Sequence, residues 1–156
     1  MNLKAFISGC SGTSLNDAER RFFADNRPCG LIVFARNCET PDQLRALVAS
    51  FKDAVEREHV LILIDQEGGR VQRLRPPHWR DMPPARCYGR VYERDPEAGK
   101  DAAFAGARLI AQELVDLGIN VNCTPVLDVP EKAHTRSSAI VPSRPILTSL
   151  RPSGAR

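Results

Sequence analysis

The sequence predicts an α/β fold built on a parallel sheet. Two observations carry this: short apolar runs rich in β-branched residues recur along the chain, and amphipathic helical segments stand between them. The runs are Ala5-Phe6-Ile7, Gly30-Leu31-Ile32-Val33-Phe34-Ala35, Val60-Leu61-Ile62-Leu63-Ile64-Asp65 and the stretch from Ile119 to Val129. Continuous apolar strands are buried on both faces, the mark of a parallel sheet covered by helices. Alternation of strand and helix then implies right-handed crossovers.

Each helix carries its own boundary signals. The first starts at Asn16, with Glu19 as capping-box partner and Phe22 facing inward, and ends before Pro28. The second opens on Thr40-Pro41-Asp42-Gln43: an N-cap, a proline at the first helical position and a capping partner three residues on. Leu44, Leu47, Val48, Phe51 and Val55 follow as one apolar stripe. The third runs from Ala98 to Leu117, with Phe104, Ala107, Ile110, Leu114 and Leu117 on one face and Gly118 as its C-cap.

Element order does not separate an open doubly wound sheet from a barrel. The turn Gly9-Cys10-Ser11-Gly12 lacks the G-x-G-x-x-G spacing, which disfavours dinucleotide binding. About four βα units are visible, whereas a (β/α)8 barrel needs eight and roughly 250 residues, so a barrel would be half present.

Composition narrows the class. A chain of 156 residues, 42% hydrophobic and 26% charged, fits one ordinary soluble domain and excludes disordered, fibrous and membrane classes. The net charge of +3 is unevenly placed. Lys132, Arg136, Arg144, Arg151 and Arg156 stand against the single acid Glu131 after Pro130, leaving 17 basic and 18 acidic residues before it. The basic tail offers no aromatic for base stacking and no helical basic face, so nucleic acid is not the expected partner. No stretch approaches the roughly 18 apolar residues of a membrane span. Cys10, Cys29, Cys38, Cys87 and Cys123 form no C-x-x-C pair and have no histidine at ligand spacing. They are expected to be buried free thiols, with no metal and a reducing, cytoplasmic setting.

In α/β folds ligands meet the carboxyl ends of the strands. Arg36 and Asn37, Asp65, and Asp128 fall there. Asp65 opens the stretch Asp65-Gln66-Glu67-Gly68-Gly69-Arg70-Val71-Gln72-Arg73. A strand-end carboxylate is costly to bury alone, and the Gly-Gly pair permits a tight turn that brings Arg70 or Arg73 back toward it. A carboxylate beside a guanidinium suits the vicinal hydroxyls of a sugar. The alternative is an ion pair that only ties the strand end to its loop. Asp65 and Glu67 could also sit at the roughly 5 to 9.5 Å separation of glycosidase carboxylates, but residues two apart nearly always do. Arg36, Asn37 and Asp128 are candidate rim residues, each with a loop-capping alternative. His59 and His78 have no acid-base partner in the sequence and are read as structural.

Three segments resemble the bacterial β-N-acetylglucosaminidases of glycoside hydrolase family 3: Asp65 to Arg73, Gly30-Leu31-Ile32-Val33-Phe34-Ala35-Arg36-Asn37, and Pro125-Val126-Leu127-Asp128-Val129. They occur in the family's order, and the resemblance covers Met1 to Pro130. It implies the amino-terminal half of a TIM-type (β/α)8 barrel over residues 1–130. It also implies a cytoplasmic retaining enzyme without cofactor, monomeric at full length, that releases N-acetylglucosamine from 1,6-anhydro-muropeptides in peptidoglycan recycling. By the resemblance Asp65 and Arg73 bind the terminal sugar, in place of any catalytic role for Asp65 and Glu67. A β-glucosidase of the same family is the alternative activity, and a non-catalytic sugar-binding remnant is the alternative class.

The family's K-H-F-P-G-H-G segment and its later strand-end nucleophile are absent from this sequence, so no catalytic residue is assigned and the chain is expected to be inactive. Half a barrel also leaves its outer strands unpaired, from which poor solubility is expected. After Pro130 the resemblance stops. Permitted codons for Ala133 to Arg156, read in another frame, give S-H-A-I-V-G-D-R-A-F-A-P-D-P-D-I-V-A-T-L-G-R, the family's continuation. Only the first base of each shifted codon is free, so residues 131–156 are expected to be out-of-frame translation. The alternative is a natural disordered basic tail.

Overall fold

The computed structural model describes residues 3–126. Its centre is one parallel sheet in the order β1-β2-β3-β4, formed by Lys4–Ser8, Pro28–Val33, Leu61–Ile64 and Val121–Asn122. The helices are α1 (Asp17–Asn26), α2 (Pro41–Val55), α3 (Ala85–Arg94) and α4 (Pro96–Asp116). The expected α/β class with a parallel sheet is thus present, with β1 and β4 at the edges of the described sheet.

The helix starts follow the sequence signals. Asn16 accepts from the Glu19 N–H at 2.9 Å while the Glu19 carboxylate accepts from the Asn16 N–H at 3.0 Å, the reciprocal capping box. Thr40 caps α2 by accepting from the Gln43 N–H at 3.2 Å, but the expected box is not closed, because the Gln43 side chain accepts from the Glu39 N–H at 2.9 Å instead of that of Thr40. Asp95 caps α4 through the N–H groups of Glu97 and Ala98, with Pro96 at the first turn. The chain therefore enters α4 two residues before the expected start.

All five residues of the α2 stripe are buried, and they share one core with Leu31 and Val33 of β2 and Ile62 and Ile64 of β3. Burial of each such side chain contributes about 2 kcal/mol. Phe23 meets Phe51 edge to face at 5.1 Å and joins α1 to this core. It is Phe23, not Phe22, that faces inward: adjacent helical residues point about 100° apart, and Phe22 is left 44% exposed.

The inward face of α4 also differs from expectation. Leu114 and Leu117 are buried and Ile110 packs against the core, but Phe104 and Ala107 are exposed. In the first half of the helix the buried residues are Gly99 and Gly106. A Cβ on Gly99 would lie 2.4 Å from Tyr92 Cα, and one on Gly106 would lie 2.1 Å from the Tyr88 hydroxyl oxygen. Close packing against α3 therefore selects the glycine face. Helix α3, which the sequence reading did not include, is amphipathic but has no side-chain N-cap to mark its start, and none of its residues is fully buried.

The fourth strand is far shorter than the run from Ile119 to Val129. Asn120 and Asn122 spend their side chains on the backbone of the β3 segment, and Pro125 has no N–H to extend a ladder. Residues 127–129, with Asp128, lie outside the described residues, as does the whole stretch 131–156.

Candidate functional site

Asp65 leaves β3 at its carboxyl end, and the loop that follows folds back on itself. The N–H groups of Glu67 and Gly68 both donate to the Val71 carbonyl, at 2.9 and 3.2 Å, closing an antiparallel bridge between Gly68 and Val71. Gly68 and Gly69 hold φ of 94° and 61°. The left-handed region favours glycine, and space demands it as well: a Cβ on Gly68 would stand 2.4 Å from the Pro83 carbonyl oxygen, and one on Gly69 2.7 Å from Pro84 Cβ. The Gly69 N–H donates to the Met82 carbonyl at 2.7 Å, pinning the turn to the proline-rich segment.

The return brings Arg73, rather than Arg70, to the strand end. Arg73 Nη2 donates to Asp65 Oδ2 at 2.9 Å. Arg70 is exposed, and its carbonyl accepts from Arg75 Nη2 at 3.0 Å.

Two glutamines that sequence reasoning passed over hold this geometry. Gln66 and Gln72 are each 1% exposed. Gln66 Oε1 accepts from the N–H groups of Arg73 and Leu74 at 2.8 and 3.1 Å, and its Nε2 donates to the Leu74 carbonyl at 3.2 Å. Gln72 Nε2 donates to the carbonyls of Leu74 and Arg80, both at 2.7 Å, while its Oε1 accepts from the Met82 N–H at 3.1 Å. The motif therefore alternates in use: its end residues form the ion pair, and its glutamines satisfy the loop's buried backbone. A glutamine beside an apolar strand end was the signal available in the sequence.

The ion pair is partly desolvated, with side-chain exposures of 26% for Arg73 and 27% for Asp65. Arg73 Nε is buried without a hydrogen-bond partner among the described residues. A buried guanidinium donor left unpaired is unfavourable by roughly 1–3 kcal/mol. Cys123, one residue beyond β4, joins the same rim. Its N–H donates to the Ile64 carbonyl at 2.9 Å, and its thiol is exposed, unlike the buried thiol the sequence led one to expect. Burial first, then the charge and hydrogen bonding of Asp65, push that thiol above its ordinary range.

The β2 end supplies Arg36 and Asn37 from a single 3-10 turn, Ala35–Asn37. Arg36 is exposed: its Nε donates to the Cys10 carbonyl at 3.0 Å and its guanidinium lies 4.7 Å from the centre of the Phe34 ring. Asn37 departs from the rim assignment. It is 0% exposed, with Nδ2 donating to the carbonyls of Cys10 and Gly12 at 3.2 and 2.7 Å and Oδ1 accepting from the Phe34 N–H at 2.9 Å. Of its two readings, loop capping is the one its contacts satisfy.

Cys10 is buried, while Cys29, Cys38 and Cys87 are half-buried; all are free. Burial pushes the Cys10 thiol up to about 11 and that of Cys38 up to about 12. His59 is exposed, and His78 stands edge to face with Trp79 at 5.8 Å. Among the described residues no group of three His, Cys, Asp or Glu side chains could hold a metal ion, and no helix is long and apolar enough to cross a membrane.

Residues 4–140 match the family described as "Glycosyl hydrolase family 3 N terminal domain". The chain belongs to glycosyl hydrolase family 3. The match runs past Pro130, where the sequence reading set its boundary. Two curated relatives are named "Beta-hexosaminidase": one from Alkalilimnicola ehrlichii, 37% identical over 90% of this chain and 42% of its own length, and one from Nitrosomonas eutropha, 40% identical over 83% and 36%. The chain thus spans about two fifths of the length of these relatives. Among solved structures, NagZ from Neisseria gonorrhoeae in complex with N-trifluoroacetyl-D-glucosamine aligns with a TM-score of 0.75 and 31% identity over 81% of this chain and 37% of its own. A family 3 β-N-acetylglucosaminidase from Paenibacillus aligns with a TM-score of 0.68 and 32% identity over 79% of this chain and 23% of its own. Family membership and the likeness to the amino-terminal part of these glycosidases agree with the resemblance found in the sequence.

Proposed function

We propose that the chain carries the sugar-binding half of a β-N-acetylglucosaminidase site, with Asp65 and Arg73 as the groups that hold a terminal N-acetylglucosamine. The observation that carries this reading is the 2.9 Å pair at the carboxyl end of β3. Its carboxylate can accept from sugar hydroxyls and its guanidinium can donate to them. The relatives' names support the acetylated sugar over the glucose of a β-glucosidase.

The sheet is read as the amino-terminal half of a (β/α)8 barrel, with Arg36 at the pocket rim and Asp128 as a further rim candidate. The full enzyme would act in the cytoplasm on 1,6-anhydro-muropeptides from peptidoglycan. Retaining hydrolysis needs a nucleophile and a proton donor, and the family's K-H-F-P-G-H-G segment is absent from the 156 residues. The chain is therefore a binding unit without turnover, and the sequence after Pro130 is read as shifted in frame.

Two measurements test this. Saturation-transfer NMR with N-acetylglucosamine should show binding that is lost in Asp65→Asn and Arg73→Ala, with glucose binding more weakly. A chromogenic N-acetylglucosaminide should remain intact. Equal binding by the two variants would leave the pair as a loop tie only, and turnover by the purified chain would refute the assignment of no catalytic residue.

A further inference from the structure

We infer that Asn122 is a positioning residue for the Asp65–Arg73 pair, an inference that rests on the sugar-binding reading of that pair. The Asn122 amide closes on both backbone groups of Gln66. Its Nδ2 donates to the Gln66 carbonyl at 2.9 Å, and its Oδ1 accepts from the Gln66 N–H at 3.0 Å. Gln66 directly follows Asp65, so this clasp fixes the peptide planes on either side of Gln66. The direction in which Asp65 leaves the backbone is fixed with them.

The other end of the ion pair depends on the same residue. The Gln66 side chain holds the Arg73 and Leu74 N–H groups and the Leu74 carbonyl. One amide on β4 thereby governs both halves of the pair through Gln66. Its effect spans 56 positions of sequence from Gln66 to Asn122, which is why no local motif reveals it.

Strand geometry explains the choice of an amide. Strands β3 and β4 pair at Leu63 with Val121 and Ile64 with Asn122, and Pro125 soon removes the donor that a longer ladder would need. A primary amide presents one donor edge and one acceptor edge, as a peptide does, so it substitutes for the missing rung. Asn120 makes a related bridge at the start of β3, across Leu61: Nδ2 donates to the Val60 carbonyl and Oδ1 accepts from the Ile62 N–H, both at 2.8 Å. The partners of these Asn120 bonds, Val60 and Ile62, lie before the Asp65–Arg73 loop, so Asn120 serves as the structural comparison.

The experiment uses the whole 156-residue chain with Asn122→Ala, Asn122→Asp and Asn120→Ala, read by amide hydrogen exchange and by N-acetylglucosamine binding in saturation-transfer NMR. Asn122→Ala should speed exchange at Arg73 and Leu74 about ten-fold and weaken sugar binding about ten-fold, the scale of one lost buried hydrogen bond. Asn120→Ala should leave both within about two-fold. Asn122→Asp adds a pH signature: a protonated carboxyl donates and accepts as the amide does, whereas an ionised one repels the Gln66 carbonyl. Its exchange relative to wild type should therefore approach parity near pH 4 and rise toward pH 7, around the ordinary carboxylate range.

Unchanged exchange at Arg73 and Leu74 in Asn122→Ala, or an equal change in Asn120→Ala, would overturn the inference. If Asn122→Ala does not fold, the pH dependence of Asn122→Asp decides, and a flat profile counts against the inference. A wild-type chain that binds no N-acetylglucosamine sinks the sugar reading, while exchange at Arg73 and Leu74 still decides whether Asn122 sets their positions.

Discussion

Asp65 and Cys123 stand at the ends of neighbouring strands, and the carboxylate raises the thiol's pKa beyond what burial alone does. Thiolate is the reactive form, so Asp65 slows alkylation of the most exposed cysteine at this rim. Asp65→Asn should therefore speed carboxamidomethylation of Cys123 at mildly alkaline pH. Cys10 and Cys38, raised to about 11 and about 12 by burial, should react last. Peptide mapping by mass spectrometry reads all three rates. Prior labelling of Cys10, or no acceleration in Asp65→Asn, would contradict this arrangement.

The two adjacent phenylalanines of α1 should respond very differently to truncation. Phe51 is fully buried and meets Phe23, itself 1% exposed, edge to face. Phe23→Ala and Phe51→Ala each leave a cavity and should cost about 3–5 kcal/mol in urea denaturation. Phe22→Ala, at a surface position, should cost about 1 kcal/mol or less. A larger loss at Phe22 than at Phe23 would reverse the inward face assigned to α1.

The α1 cap should make stability pH-dependent. Burial, the largest single influence on Glu19, pushes its carboxyl up, but the N–H groups of Asn16 and Ser11 together with the Ser11 hydroxyl outweigh it and hold the pKa below the ordinary value. A carboxyl depressed by folding contributes stability above its unfolded pKa, and that contribution disappears as pH falls through the folded value. The stability difference between wild type and Glu19→Gln should thus be largest near pH 6 and shrink toward pH 3. Urea midpoints measured across that range test the sign, and a difference that grows on acidification would refute it.

Much of this architecture was legible because its causes are local. Thr40 and Asn16 announce their helices through backbone N–H groups three residues away, and the α2 stripe repeats at the helical period. The return of an arginine to Asp65 was legible because glycines 68 and 69 signal the turn, while the choice of Arg73 over Arg70 came only with the family resemblance. What escaped depends on distant partners. The inward face of α4 was decided by tyrosines on α3 that fit only against glycine, so an apolar-periodicity argument selected Phe104 wrongly. Asn37 was read as a rim residue because it follows a strand, yet its amide is consumed by the Cys10 to Gly12 turn 25 to 27 residues earlier. Gln66, Gln72 and Asn122 act by satisfying backbone groups, and only Gln66, beside an apolar strand end, gave a local sign of that use.

Glycines at three positions separate conformational need from mere tolerance. Gly68 combines φ of 94° with a 2.4 Å approach of any added Cβ to the Pro83 carbonyl oxygen, and a backbone atom cannot swing aside as a flexible side chain can. A Cβ added at Gly69 would meet the Pro84 ring at 2.7 Å, a contact that a small shift of the proline could relieve in part. Gly89 sits inside α3 with nothing within 4 Å of its missing Cβ. Gly68→Ala should therefore lower the melting temperature and break the Asp65–Arg73 pair, with a stability cost of about 1–3 kcal/mol from backbone strain. Gly69→Ala should cost less. Gly89→Ala should raise the melting temperature, because alanine favours a helix interior by roughly 0.5–1 kcal/mol over glycine. The decisive comparison is between Gly68→Ala and Gly89→Ala in thermal melts followed by exchange at Arg73: opposite shifts in melting temperature, with exchange accelerated only in Gly68→Ala, require that the turn itself carries the ion pair.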